Sequence, residues 1–135
     1  EGDKLQEAIN WCRERGVEAD IRLFVPAKTE QVTDAELCVI LGNLLENALE
    51  ACARMTEGRR FLRLVSAVHL DTLTVTMDNS FDGHADFDGE RFRSSKRDDF
   101  GVGLGSIRAV ARKRGGDARF EPDGRVFRSS VYLRV

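Results

Sequence analysis

Apolar residues recur along this chain in two rhythms, one of three to four residues and one of two. In "DKLQEAINWCRER", residues 3–15, Leu5, Ala8, Ile9 and Cys12 fall on one helical face, and Gly16 closes the segment. "VEADIRLFV" then alternates, with Val17, Ala19, Ile21, Leu23 and Val25 on one side and Pro26 ending the strand. The longest helical stretch is "TDAELCVILGNLLENALEACARM", residues 33–55, in which Leu37, Leu41, Leu44, Ala48 and Met55 gather on one side. Thr33 or Asp34 can cap it, and Glu36 stands at capping-box spacing from Thr33.

The second half reads differently. "RFLRLVSAVHLDTLTVTMDNS" predicts two strands joined by a tight turn near Asp71 and Thr72, with Leu73, Val75 and Met77 alternating against Thr74, Thr76 and Asp78. Residues 80–100 keep no period, are densely charged, and are too long for a mere connector. "LGSIRAVARKRGG" predicts a short helix with Leu104, Ile107, Val110 and Ala111 inward, ended by Gly115 and Gly116. "DARFEPDGRVFRSSVYLRV" predicts a hairpin turning at "EPDG". Paired strands mean a mixed, largely antiparallel sheet rather than strict βαβ alternation. The expected fold is α+β, a two-layer sandwich with three helices on one face and a long lid.

Composition changes this picture little. The 135 residues match one domain with a core of its own, and no internal repeat or boundary is visible. A formal net charge of −2 gives no global drive toward nucleic acid or an anionic membrane. Cys12, Cys38 and Cys52 are odd in number and too far apart for a CxxC pair, which fits buried thiols in a reducing cytosol. No signal peptide is expected, and no run nears the roughly 20 apolar residues of a membrane span. The chain starts without an initiator Met, so it is expected to be a domain of a longer protein.

Three segments carry candidate chemistry. Asn43 and Asn47 stand one turn apart on the long helix, about 80° to 120° from its apolar centre. Asn is a mediocre helix former, so a pair of them there needs a reason. Stacked at the edge of a packed face, their amides can line a cleft, ligate a hard cation through oxygen or donate to phosphate. The alternative is a solvated helix flank. In "VTMDNSFDG", strand parity puts Asn79 on the face of Leu73, Val75 and Met77, and Asp78 on the other. An amide there can pair with a purine edge, or the segment can be an ordinary Asx turn. In "FGVGLGSIRAV", Gly101, Gly103 and Gly105 run into a helix N-terminus, where backbone N–H groups favour phosphate; a flexible hinge is the other reading.

In this order, "NLLENALEA", "DNSFDG", a charged loop and "GVGLGSIRAVARKRGG" resemble the boxes of the GHKL ATPase superfamily, which includes sensor histidine kinases and gyrase-type topoisomerases. With "FRSSK" they look most like the catalytic domain of the quorum-sensing, AgrC-like branch of bacterial histidine kinases, over residues 3–135. The resemblance implies a Bergerat-type sandwich that binds ATP and Mg2+. Asn47 would ligate the metal, with Asn43 helping, and both would act in catalysis. Asn79 falls where the superfamily usually has the Asp that pairs with the adenine amino group, with Asp78 the alternative if the register slips. Phe81 replaces the first glycine of that box and Gly83 is the second. Ser94, Ser95 and Lys96 match the lid element, with Lys96 expected on phosphate. Gly101, Gly103 and Gly105 would hold phosphates, with Leu104 and Ser106 opening the next helix. Two departures bear on phosphate binding: Glu50 stands where many kinases carry a basic residue, and Phe100 where this branch often has His.

ATP-hydrolysing members of the superfamily carry a Glu four residues before the metal-binding Asn. Asn43 holds that position here and cannot act as a general base. The implied chemistry is therefore γ-phosphoryl transfer to a histidine on an upstream dimerising helical domain, with a response regulator indirectly downstream. Neither His69 nor His84 fits the acceptor's role. The implied setting is the cytoplasmic part of a membrane-anchored sensor kinase, this domain itself touching neither membrane nor nucleic acid. The alternatives are a stand-alone anti-sigma-type serine kinase and a degenerate GHKL domain that only binds protein partners.

Overall fold

The first periodic segment forms helix α1, Gly2–Arg15. Gly16 ends it at φ 69°, a left-handed conformation that a Cβ would strain, and Val17 N–H reaches back to the Cys12 carbonyl at 2.9 Å. The structure, a computed structural model, describes residues 2–24, 31–83, 86–88, 91–93 and 102–135. Strand β1, Glu18–Arg22, leads to helix α2, Asp34–Arg54. The capping box forms: the Thr33 hydroxyl accepts from Glu36 N–H at 3.1 Å, and the Glu36 carboxylate accepts from Thr33 N–H at 2.9 Å. Strands β2, Phe61–His69, and β3, Thr72–Ser80, follow. Short strands β4, Asp86–Asp88, and β5, Arg91–Arg93, pair antiparallel. Helix α3, Val102–Lys113, then precedes β6, Asp117–Asp123, and β7, Val126–Arg134.

Among the described residues the main sheet has the order β1-β2-β3-β7-β6. Only β1 and β2 are parallel, because α2 carries the chain across between them; β3, β7 and β6 join through antiparallel pairings. The three helices pack on one face, as expected. There α2 buries Leu37, Ile40, Leu41, Leu44 and Leu45 against Leu64, Val75, Met77 and Val131, and α3 adds Ile107 and Ala111. The opposite face is open and polar, crossed by ion pairs such as Arg63–Asp20 at 3.5 Å.

Four local readings change. Helix α3 starts at Val102 rather than Leu104, so Gly103 lies inside its first turn with Gly105 rather than in a loop before it. That turn's N–H groups have no intrahelical partner in any helix. The last hairpin turns at Gly124 and Arg125, not at "EPDG", and Pro122 sits inside β6 opposite Phe127. β6 tolerates it because it is a sheet edge, where a missing N–H breaks no ladder. β4 and β5 form a ribbon in a stretch read as aperiodic, since three-residue strands are too short to show a period. Ala19 and Ile21 do share the face of Leu62 and Leu64, but β1 is the other edge and leaves Ala19 exposed. Val25 and Pro26 lie outside the described residues.

One ion pair ties the helix layer together. Arg114, just past α3, holds both oxygens of Glu36 at 2.9 and 3.0 Å, with Lys113 3.3 Å from the same carboxylate. The hydrogen bond from Thr33 N–H, helped by these cations, lowers the Glu36 pKa from 4.5 to about 2. A depressed carboxyl pKa stabilises the fold above the unfolded value, and that stability is lost as pH falls from 4.5 toward 2. Glu36→Gln is therefore expected to lower stability by about 1–2 kcal/mol at pH 6. The gap between the urea midpoints of variant and parent should narrow steadily below pH 4.5.

Candidate functional site

Asn43 and Asn47 are both half-buried on α2, and Asn43 faces the start of α3. The Asn43 amide nitrogen donates to the Val39 carbonyl one turn back, at 2.8 Å. That leaves its oxygen turned toward α3, where a Cβ built on Gly103 would lie only 3.0 Å from it. Gly103 thus lets the first turn of α3 come in against Asn43. Gly105 has a different setting: among the described residues, nothing lies within 4 Å of where its Cβ would be. The first N–H groups of a helix and the positive end of its dipole favour an anion, and this turn carries no acidic residue to oppose one. Leu104 is buried and Ser106 half-buried in the same turn.

The second part of the site comes from β3. Asn79 lies on the helix-facing side, between Leu62 and Phe127 in the register, and is 0% exposed. Its amide nitrogen donates to the Ser80 carbonyl at 3.0 Å, while its oxygen is buried without a partner. A buried acceptor left unpaired costs about 1–3 kcal/mol, so it is a place where a ligand's donor would be welcome. Asp78 points to the opposite, open face, where it lies 3.8 Å from Arg128. The alternative assignment to Asp78 is therefore corrected: the ladder with β2 and β7 leaves no slipped register that would turn it toward the helices.

Phe81 is buried and meets Phe127 edge-on, ring centroids 5.9 Å apart, with its N–H bonded to the Arg125 carbonyl at 3.1 Å. The position where the resembling proteins carry glycine is thus filled by core. Gly83 takes φ 87° and passes beside Gly124 and Arg125. Ser94, Ser95, Lys96, Phe100 and Gly101 lie outside the described residues.

Sequence reading missed Ser129. It is 2% exposed, and its hydroxyl has no partner. It stands opposite Met77 on the helix-facing side of β7, diagonal to Asn79. The signal was available in "FRSSVYLRV": Ser129 has the parity of Phe127, Val131 and Leu133, a hydroxyl in an otherwise apolar row.

Among the described residues no three His, Cys, Asp or Glu side chains cluster to hold a metal ion. An ion here would rest on amide oxygen and on the oxygens of its ligand. That suits Mg2+, which takes few protein ligands and keeps water and phosphate in its shell.

The fold has clear relatives. It superposes on a nucleotide-free form of the catalytic domain of histidine kinase ThkA with a TM-score of 0.71 and 15% identity, covering 98% of this chain and 92% of that one. Acinetobacter baumannii histidine kinase AdeS gives a TM-score of 0.67 and 14% identity, over 98% of this chain and 61% of that one. The histidine kinase domain of a blue-light-activated kinase from Erythrobacter litoralis gives 0.64 and 13%, over 97% of this chain and 58% of that one. This chain therefore spans about three fifths of the latter two. At such identities the likeness is one of fold. No curated protein matches significantly in sequence. The GHKL domain profile matches residues 32–134, which takes in α2, Asn79, α3 and the whole sheet except β1. By that match the chain belongs to the GHKL domain family.

Proposed function

We propose that this domain binds ATP with Mg2+ and passes the γ-phosphoryl group to a histidine on an upstream helical domain, as part of a two-component sensor kinase of the AgrC-like branch. One observation carries the reading furthest: a fully buried amide whose oxygen lacks a partner lies on the sheet face beneath the helix bearing the asparagine pair. In this reading Asn79 accepts from the adenine amino group, with the Ser129 hydroxyl nearby. Gly83 shapes the turn beside the base. Gly101, Gly103, Gly105, Leu104 and Ser106 would hold the phosphates, and Ser95 and Lys96 would contact them as well. Asn47, assisted by Asn43, would hold Mg2+, whose charge would offset that of the phosphates when it is bound.

The amide nitrogen of Asn43 is committed to Val39, and its oxygen cannot take a proton from water. The chain's own residues therefore position the phosphates without activating water, which favours transfer over hydrolysis. Among the described residues no helix is long and apolar enough to cross a membrane, which agrees with a cytoplasmic catalytic part. A response regulator would receive the phosphoryl group from the histidine.

The buried ring of Phe81 favours a second reading, a GHKL domain that has lost its nucleotide and binds only protein. Titration with a non-hydrolysable ATP analogue separates the two. The expected outcome is binding that strengthens with Mg2+, together with negligible ATP hydrolysis by the domain alone. No binding at millimolar nucleotide would overturn the first reading in favour of the second.

A further inference from the structure

A neutral amide carries both a donor and an acceptor, so Asn79 alone does not say which base edge it reads. The setting of its two ends does. Only the NH2 end can face the Ser80 carbonyl at 3.0 Å, because two carbonyl oxygens at that distance would oppose each other. The amide oxygen is left as the one free group, buried and unpartnered. The Ser80 carbonyl is in turn held in place. The Ser80 hydroxyl accepts from Phe61 N–H at 2.9 Å and donates to the Phe61 carbonyl at 3.3 Å, stitching the end of β3 to the start of β2. From α2, the Cys52 sulfur lies 3.6 Å from that hydroxyl and 3.9 Å from the Ser80 carbonyl. Ser80 is 2% exposed and Cys52 0%.

We infer that Ser80 is a positioning residue that makes Asn79 an acceptor-only reader, so that the site takes a purine bearing an exocyclic amino group and rejects one with a keto oxygen in its place. The inference rests on the nucleotide site proposed above. Reading a keto oxygen would require the amide to flip, which breaks the Ser80 bond and sets oxygen against oxygen. The neutral Asn thereby does the work of an acceptor without a charge to bury.

The test is titration with ATP and with inosine triphosphate, in which a keto oxygen replaces that amino group and N1 carries a hydrogen. In Mg2+, the parent domain is expected to prefer ATP by about 10- to 100-fold, the range that an unpaired buried acceptor produces. Ser80→Ala should lower that preference to below about 5-fold as the carbonyl loses its stitch and the amide its fixed orientation. Asn47→Ala should weaken both nucleotides alike and keep the ratio. A folded Ser80→Ala variant with the parent's ratio overturns the inference, whereas a parent domain that binds neither nucleotide overturns the nucleotide site itself. If Ser80→Ala does not fold, Ser80→Cys takes its place: it fills nearly the same space but bonds Phe61 far more weakly, so the preference for ATP should again fall below about 5-fold, and a folded Ser80→Cys variant with the parent's ratio overturns the inference.

Discussion

Asn47→Ala is expected to abolish magnesium-dependent binding of an ATP analogue, weakening it by at least about 100-fold, while leaving the fold intact. The size follows from the scarcity of other ligands. No cluster of three acidic, His or Cys side chains exists among the described residues to share the ion, so one amide oxygen carries most of the protein's share. Stability should hardly move, because Asn47 is half-buried on a helix flank and Ala is the better helix former by up to about 0.7 kcal/mol. Asn47→Asp, which keeps an oxygen at the same place, should retain a dependence on Mg2+. Calorimetric titration with and without the metal, beside thermal melts, reads both quantities. Equal affinities for parent and Asn47→Ala would mean that the paired asparagines serve only the helix surface.

Gly116→Ala is expected to be the most damaging single-methyl change in the described structure, costing about 3 kcal/mol or more. A Cβ at residue 116 would fall 1.8 Å from the Tyr132 carbonyl oxygen, 2.6 Å from its carbon and 2.8 Å from the Leu133 Cα. All three are backbone atoms of β7, a strand bonded on both sides, so none can swing away as a side chain would. The Gly116 N–H is also bonded to the Ala111 carbonyl at 2.8 Å, which fixes the chain as it leaves α3. Gly124→Ala is the control. Its φ of 63° strains an L residue, but among the described residues nothing lies within 4 Å of the added Cβ, so a loss of only about 1 kcal/mol is expected. Urea unfolding of the two variants compares them, and a Gly116→Ala midpoint close to the parent's would contradict this packing.

The same contrast runs through what could be read beforehand. Thr33 and Glu36 announced their capping box because both partners lie within one turn, and the alternation of Leu73, Val75 and Met77 placed Asn79 on the inner face because strand parity is local. The start of α3 was misplaced by two residues, since "GVG" breaks the helical pattern while the first turn needs no N–H partners. The hairpin turn was misplaced because Pro122 reads as a turn residue unless β6 is known to be an edge.

Local periodicity and spacing determined the three helices, the five strands of the main sheet and the order of the asparagine and glycine boxes, but not β4, β5 or the last turn. Interactions across the chain decided the rest. The meeting of Asn43 with Gly103, the need for glycine at 116 beneath β7, the grip of Arg114 on Glu36 and the burial of Asn79 with its oxygen unpaired join residues far apart in sequence. No periodicity encodes such contacts, because close approach and desolvation are properties of the packed layers and come into being only when the helices close over the sheet.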